Sequence, residues 1–302
     1  MTLGHLLVPL DGSPFSEAVL PIATRLARAD AARVTIVCVA DRAARGQVTT
    51  ALALAAKPLL EAGLDVATTV RGGKPAEEIV QVAHECSVDL ILMATHARTG
   101  ARRGLLGSVA DGVMQRCRLP LLLLHPNDHP RSSELRTILV PVDGTPGGAV
   151  ALATATPLAR GGAARLVLAR VSTPLPLWLY DTTLGLNTGP LIDPMWDEDA
   201  RLAAEAYATG IAARLCHAGF VAEGRGLSGE PGPALVHLAN EVDADLIIMS
   251  TSALTGVIRT VLGSFAGDVV RASGRPVLLV RRTHPPVAEP IHDTGLEEGA
   301  RA

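Results

Sequence analysis

Met93-Ala94-Thr95-His96-Ala97-Arg98-Thr99-Gly100-Ala101-Arg102-Arg103-Gly104-Leu105-Leu106-Gly107-Ser108-Val109 joins two patterns of different period. The apolar run Val88 to Met93 that leads into it reads as a buried strand. Val109, Val113 and Cys117 follow at spacings of four, which predicts a helix. The loop between holds three arginines and ends in a Gly-Ser pair, where Ser108 is expected as the helix N-cap. A helix start offers free backbone N–H groups and a positive dipole end, so strand, loop and helix together form a place for a phosphate.

The stretch recurs as Met249 to Phe265. Asp89-Leu90-Ile91 returns as Asp245-Leu246-Ile247, Gly73-Lys74-Pro75 as Gly229-Glu230-Pro231, and Gly107-Ser108 as Gly263-Ser264, all 156 residues apart. Nearer the start, Leu7-Val8-Pro9-Leu10-Asp11-Gly12-Ser13-Pro14 returns as Leu139-Val140-Pro141-Val142-Asp143-Gly144-Thr145-Pro146, 132 residues on. An internal repeat of this length predicts two similarly folded halves. The two offsets differ by 24 residues, which places an insertion in the second copy between its second strand and second helix.

Within the first copy, strands are predicted at His5–Leu10, Arg33–Ala40, Asp65–Val70, Val88–Met93 and Pro120–His125. Helical patterns separate them: one runs from Pro14 to about Ala29 behind a Ser13 cap, and others cover about Gln47–Glu61 and Pro75–Cys86. In the second copy the second strand is expected at Leu166–Val171 and the second helix at about Glu198–His217. Alternating strands and helices imply a mostly parallel sheet covered on both faces, and the near-continuous apolar strands suit burial on both sides. Right-handed crossovers restrict the order to a few doubly wound topologies.

The chain has 302 residues, enough for two domains, and a net charge of −3 with only 2% aromatics. That balance argues against non-specific nucleic-acid binding and against base-stacking platforms. The four cysteines lack CxxC spacing and read as free thiols in a reducing compartment. No apolar run reaches a membrane span, and the first residues enter a strand pattern directly, so a cytoplasmic protein without membrane association is expected.

The expected division is a first domain at 1–126, a linker at 127–134, a second domain at 135–282 with its insertion at about 172–197, and a disordered tail at 283–302. Trp178, Tyr180 and Trp196 fall in the insertion and Tyr207 just beyond it. These aromatics either pack the insertion onto its own domain or form a lid or an oligomer contact.

Two five-stranded α/β units, each opening with strand–Asp-Gly-Ser/Thr and closing with a Gly-Ser helix start, resemble the universal stress protein family. The resemblance covers about residues 1–126 and 135–282. It implies an adenine-nucleotide alpha-hydrolase-like fold in each domain, with sheet order 3-2-1-4-5, helices on both faces, and pairing of the domains through their last strands. It further implies ATP or a related adenine nucleotide, with Mg2+ as a companion ion, at the carboxyl ends of strands one and four. Ligands of such open sheets sit at that switch point on independent grounds.

The family's nucleotide motif is Gly, two residues, Gly, nine residues, Gly-Ser/Thr. The spacing and the closing Gly-Ser are kept in both copies, but Ala94 and Ala97, then Ser250 and Ala253, replace the early glycines. Glycine matters there if the backbone must approach a ligand closely or be left-handed, the latter at about 1–2 kcal/mol for another residue. On the resemblance, Asp11 and Asp143 face the ribose with Pro9 and Pro141 beside the adenine, and Val39 and Val171 offer backbone groups to its edge. His96, Arg98, Gly107, Ser108 and Val109 would hold phosphates in the first domain; Ser252, Gly263, Ser264 and Phe265 would do so in the second. Asp11 and Asp143 are equally readable as Asx-turn residues closing a strand, and Arg98, Arg102 and Arg103 as a solvated loop.

Gly224-Arg225-Gly226-Leu227-Ser228-Gly229 spells GxGxxG, but it follows a third-strand position and is set aside as a dinucleotide site. Neither a P-loop nor a GxSxG elbow occurs. No metal site is expected, His125, Asp128 and His129 lying among linker prolines, and His84 and His237 read as surface or cap residues. Three functions compete. One is a nucleotide-binding regulatory protein, not an enzyme, acting as a homodimer of tandem chains on an unknown protein partner. Another is a nucleotide-free interaction module that has lost ATP through the four glycine replacements. The third, an enzyme on an adenylated substrate, has no evident base or nucleophile.

Overall fold

The computed structural model describes residues 3–95, 107–125, 135–173, 194–251 and 264–281. The first half contains β1 (His5–Pro9), α1 (Pro14–Glu17), α2 (Leu20–Asp30), β2 (Arg33–Val39), α3 (Arg45–Glu61), β3 (Val66–Arg71), α4 (Pro75–Glu85), β4 (Leu90–Ala94), α5 (Ser108–Arg116) and β5 (Leu121–Leu124). The second contains β6 (Thr137–Pro141), α6 (Pro146–Gly162), β7 (Arg165–Ser172), α7 (Pro194–His217), β8 (Ala222–Ser228), α8 (Pro231–Glu241), β9 (Leu246–Thr251), α9 (Ser264–Ala272) and β10 (Val277–Arg281).

All ten strands form one sheet in the order β3-β2-β1-β4-β5-β10-β9-β6-β7-β8. Each half therefore has the order 3-2-1-4-5, parallel throughout, and the halves meet where β5 and β10 pair antiparallel, with Leu122 opposite Leu278. Both the order and the pairing through the last strands agree with expectation. Because the seam is antiparallel, the carboxyl ends of the first half's strands and of the second half's point to opposite ends of the sheet.

Period-two alternation sorts the strand side chains onto two faces. Leu6, Val8, Ile36 and Leu92 pack with α2, α3, α6 and α7 residues such as Leu26, Leu59, Ala155 and Ala208. Leu7, Val37, Ile91 and Met93 pack with α4, α5, α8 and α9 residues such as Val82, Val113, Leu238 and Val269. Both clusters cross the seam, through Leu122 and Leu278 on one face and Leu123 and Val277 on the other. Burying each such side chain contributes about 1.5–3 kcal/mol.

The repeated Asp89 and Asp245 are explained by main-chain capping. Asp89 Oδ2 accepts from Gly4 N (2.7 Å) and His5 N (2.9 Å). Asp245 Oδ2 accepts from Arg136 N (2.8 Å) and Thr137 N (3.0 Å). Each carboxylate ties the start of the first strand of its half to the fourth.

The helix expected from Pro14 to about Ala29 is divided into α1 and α2. Pro21, in the first turn of α2, has no N–H to return to the carbonyl of Glu17 and suits a helix start, although α3 and α6 run on through Pro58 and Pro157. Ala153 holds the equivalent place in α6, which is continuous. The GxGxxG stretch is a packing feature. A β-carbon on Gly226 would stand 2.6 Å from Glu205 Cβ, and one on Gly224 2.5 Å from the Ala208 carbonyl carbon. Helix α7 lies directly on strand β8 because neither glycine has a side chain. Of the aromatic insertion, residues 174–193 lie outside the described residues, as do the linker core and the tail.

Candidate functional site

The loops after β1 and β6 have the same construction. Asp11 Oδ1 accepts from Ser13 N (3.0 Å) and Ser13 Oγ (2.6 Å). Asp143 Oδ1 accepts from Thr145 N (2.9 Å) and Thr145 Oγ1 (2.7 Å). The Asx-turn reading of both aspartates is thus correct, and both carboxylates remain exposed at the carboxyl end of their strand. Ser13 caps α1 as expected, accepting from Ser16 N at 3.1 Å.

At the second corner the cap is Gly107, not Ser108, which is the first residue of α5. Gly107 has φ +93°, a backbone region that L-residues rarely enter, so glycine supplies the turn and serine the first free N–H. Ser264 likewise opens α9. Val109 and Phe265, the next residues, pack against the same core face.

Ala94 is the last residue of β4, paired with Leu124, and Ser250 lies within β9, paired with Val280. Neither has a positive φ. The first glycine of the family motif is therefore replaced at strand positions that need no left-handed backbone. His96, Ala97 and Arg98 lie outside the described residues, as do Ser252, Ala253 and Gly263.

In the second half these corners enclose a cavity of about 450 Å3, within the size range of small-molecule sites. Pro141, Asp143, Val171, Ser250 and Phe265, expected from the sequence, line it together. Gly148, Arg170, Met249 and Thr251 complete the polar and apolar walls. Sequence reading missed Arg170, although it is the charged residue in an apolar strand whose copy-one equivalent is Cys38. The Arg170 guanidinium lies over the Tyr207 ring, 4.3 Å from its centre. In the first half, Pro9, Asp11, Val39, Gly107 and Ser108 stand at the corresponding ends of β1, β2 and α5. There burial, and secondarily the Asp11 carboxylate, pushes the Cys38 thiol above its ordinary range, so it is held protonated and unreactive.

Among the described residues no group of three or more His, Cys, Asp or Glu could hold a metal ion, and no helix is long and apolar enough to cross a membrane.

The model of the universal stress protein family matches this chain twice, at residues 2–125 and 134–281. A universal stress protein of Methanocaldococcus jannaschii is 42% identical over 64 residues, which is 21% of this chain and 38% of the relative's length. The chain thus spans well under half of that relative. A universal stress protein of Mycolicibacterium smegmatis is 23% identical over 72% of this chain and 70% of its own. Among solved structures, a universal stress protein from Archaeoglobus fulgidus superposes with a TM-score of 0.72 at 20% identity, covering 92% of this chain and 96% of that one. The doubled family match, over halves that fold alike, makes this chain a tandem member of the universal stress protein family.

Proposed function

We propose that the chain is a regulatory universal stress protein that binds ATP or a related adenine nucleotide at the carboxyl ends of the first and fourth strands of each half, with little or no turnover. The observation that carries this is the second-half cavity, ringed by residues whose positions the repeat specifies. Its volume, its apolar wall of Val171, Met249 and Phe265, and its polar rim of Asp143, Ser250 and Thr251 suit a base and a ribose. Bound there, the nucleotide would place its phosphates toward the start of α9, where helix N–H groups favour an anion. The equivalent place in the first half is the Gly107–Ser108 start of α5. A single nucleotide would report cellular energy state through the surface it covers. The division at 127–134, the insertion at 172–197, a homodimer of tandem chains, a companion Mg2+ and a cytoplasmic location belong to the same proposal.

A nucleotide-free interaction module is the competing reading, motivated by the missing glycines. It loses much of its support at positions 94 and 250, because strand residues there need no left-handed backbone. The test is to denature the purified chain, analyse the supernatant for nucleotide, and follow thermal unfolding with added ATP. A bound adenine nucleotide, or a rise in melting temperature that grows with ATP, supports nucleotide binding. Neither bound nucleotide nor a shift at millimolar ATP supports the interaction module.

A further inference from the structure

The two halves differ in the charge beside the ribose-facing aspartate. In the first half the penultimate residue of β2 is Cys38, whose thiol is kept neutral by burial and, secondarily, by the Asp11 carboxylate. The equivalent residue of β7 is Arg170, which lines the cavity with Asp143. Its guanidinium is held against Tyr207 from α7, and the Tyr207 hydroxyl lies 3.4 Å from where a β-carbon on Gly144 would stand. Arg170, Tyr207 and the Asp143–Gly144 turn therefore form one cluster at one end of the cavity. Among the described residues Arg170 makes no ion pair, so its N–H groups are not spent on a protein carboxylate.

The first turn of the neighbouring helix differs as well. Ser16, in α1, donates its hydroxyl to Ser13 O at 2.8 Å and so fills the corner in the first half. Gly148 takes that place in α6, where a β-carbon would stand 2.8 Å from Asp143 Oδ1. Space beside the aspartate is thus opened in the half that also carries the cation. The sequence moves charge the same way: Arg98 and Arg102 of the first phosphate loop become Leu254 and Ile258 in the second.

In dinucleotide-binding folds a carboxylate accepts from ribose hydroxyls, whereas an arginine nearby accommodates a ribose phosphate, and Asp143 and Arg170 bring the same two groups to this cavity. A guanidinium presents several donors in a fixed fork suited to a phosphate dianion. We infer that the second-half cavity selects adenine nucleotides bearing a phosphate ester on the ribose 2′ or 3′ oxygen, with Arg170 as the specificity-determining residue, while the first half takes nucleotides with free ribose hydroxyls. This rests on the adenine-nucleotide reading above.

The test is titration calorimetry of the full chain with adenosine 5′-monophosphate, adenosine 2′,5′-bisphosphate and adenosine 3′,5′-bisphosphate, on the wild type, R170C and R170Q. At least one bisphosphate should bind one site about tenfold or more tightly than the monophosphate. R170C, which copies the first half, should collapse that ratio to within about twofold, and R170Q, which keeps a flat side chain on Tyr207, should do the same. A ratio that survives in a folded R170C or R170Q overturns the inference. So does monophosphate binding with no bisphosphate advantage in the wild type, although nucleotide binding itself then stands. Absence of binding by every adenine nucleotide overturns both.

Discussion

Asp143 and Thr145 are joined through a single carboxylate oxygen, which accepts from the Thr145 main-chain N at 2.9 Å and from its hydroxyl at 2.7 Å. Ser13 grips Asp11 in the same way. One oxygen thus shapes the turn, and the charge is presented at the carboxyl end of the strand. Asp143→Asn retains an oxygen that can accept from Thr145, so the turn should survive while the charge is lost. Asp143→Ala loses both. We predict that both variants weaken nucleotide binding in the second half by about tenfold or more, as loss of a charge-assisted hydrogen bond would. Only the alanine variant should also lose about 1 kcal/mol of stability, the usual worth of such a local bond. Calorimetry and urea denaturation measure the two effects separately.

Gly107 occupies a positive-φ position at the head of α5. Gly107→Ala should cost about 1–2 kcal/mol in stability. It should also weaken nucleotide binding in the first half, because the helix N–H groups are re-aimed. A denaturant midpoint unchanged by Gly107→Ala would show that the turn tolerates a side chain.

Gly226 sits where α7 presses on β8. Gly226→Val should separate helix from strand and cost about 3 kcal/mol or more, at the severe end for overpacking. Gly229, with open space around it, has no such neighbour. Chemical denaturation of the valine variant, or its failure to accumulate folded, checks this. A stability within 1 kcal/mol of wild type would contradict the close packing.

His125 stands at the end of β5, beside the seam. Burial, with the Arg271 guanidinium as a second cause, holds its imidazole below the ordinary value of 6.5. The folded chain therefore resists a proton that the unfolded chain accepts, so stability falls as pH drops through 6.5 and continues to fall until the folded value is passed. Thermal unfolding between pH 7 and pH 5 should show a steeper loss in the wild type than in His125→Asn. Equal slopes would mean that His125 is not held neutral.

Much of this was legible in the sequence. The repeat and the mostly parallel, doubly wound sheet follow from apolar runs and from the spacing of Asp-Gly and Gly-Ser pairs, whereas the strand order and the seam through the last strands come from the family resemblance. Pro141, Asp143, Val171, Ser250 and Phe265, which the family resemblance assigns to one site, line one cavity. Element ends moved by a residue or two, because a strand ends where its ladder ends and not where its hydrophobicity does. The cap assignment to Ser108 failed because residue preference cannot show a backbone angle, and Gly107 wins the position through its φ. The division between α1 and α2 is not visible in the apolar spacing, since prolines are also carried inside α3 and α6. Arg170 escaped notice, and its contact with Tyr207 could not be foreseen, because the two come from a strand and a helix on either side of the insertion and only the fold brings them together.

Nucleotide occupancy at the two aspartates is the decisive quantity. Equilibrium dialysis of labelled ATP against the wild type and an Asp11→Ala/Asp143→Ala double variant measures it directly. Saturable binding by the wild type, weakened about a hundredfold or more in the folded double variant, is the predicted result. No saturable binding at millimolar ATP, or equal binding by the two proteins, would contradict it.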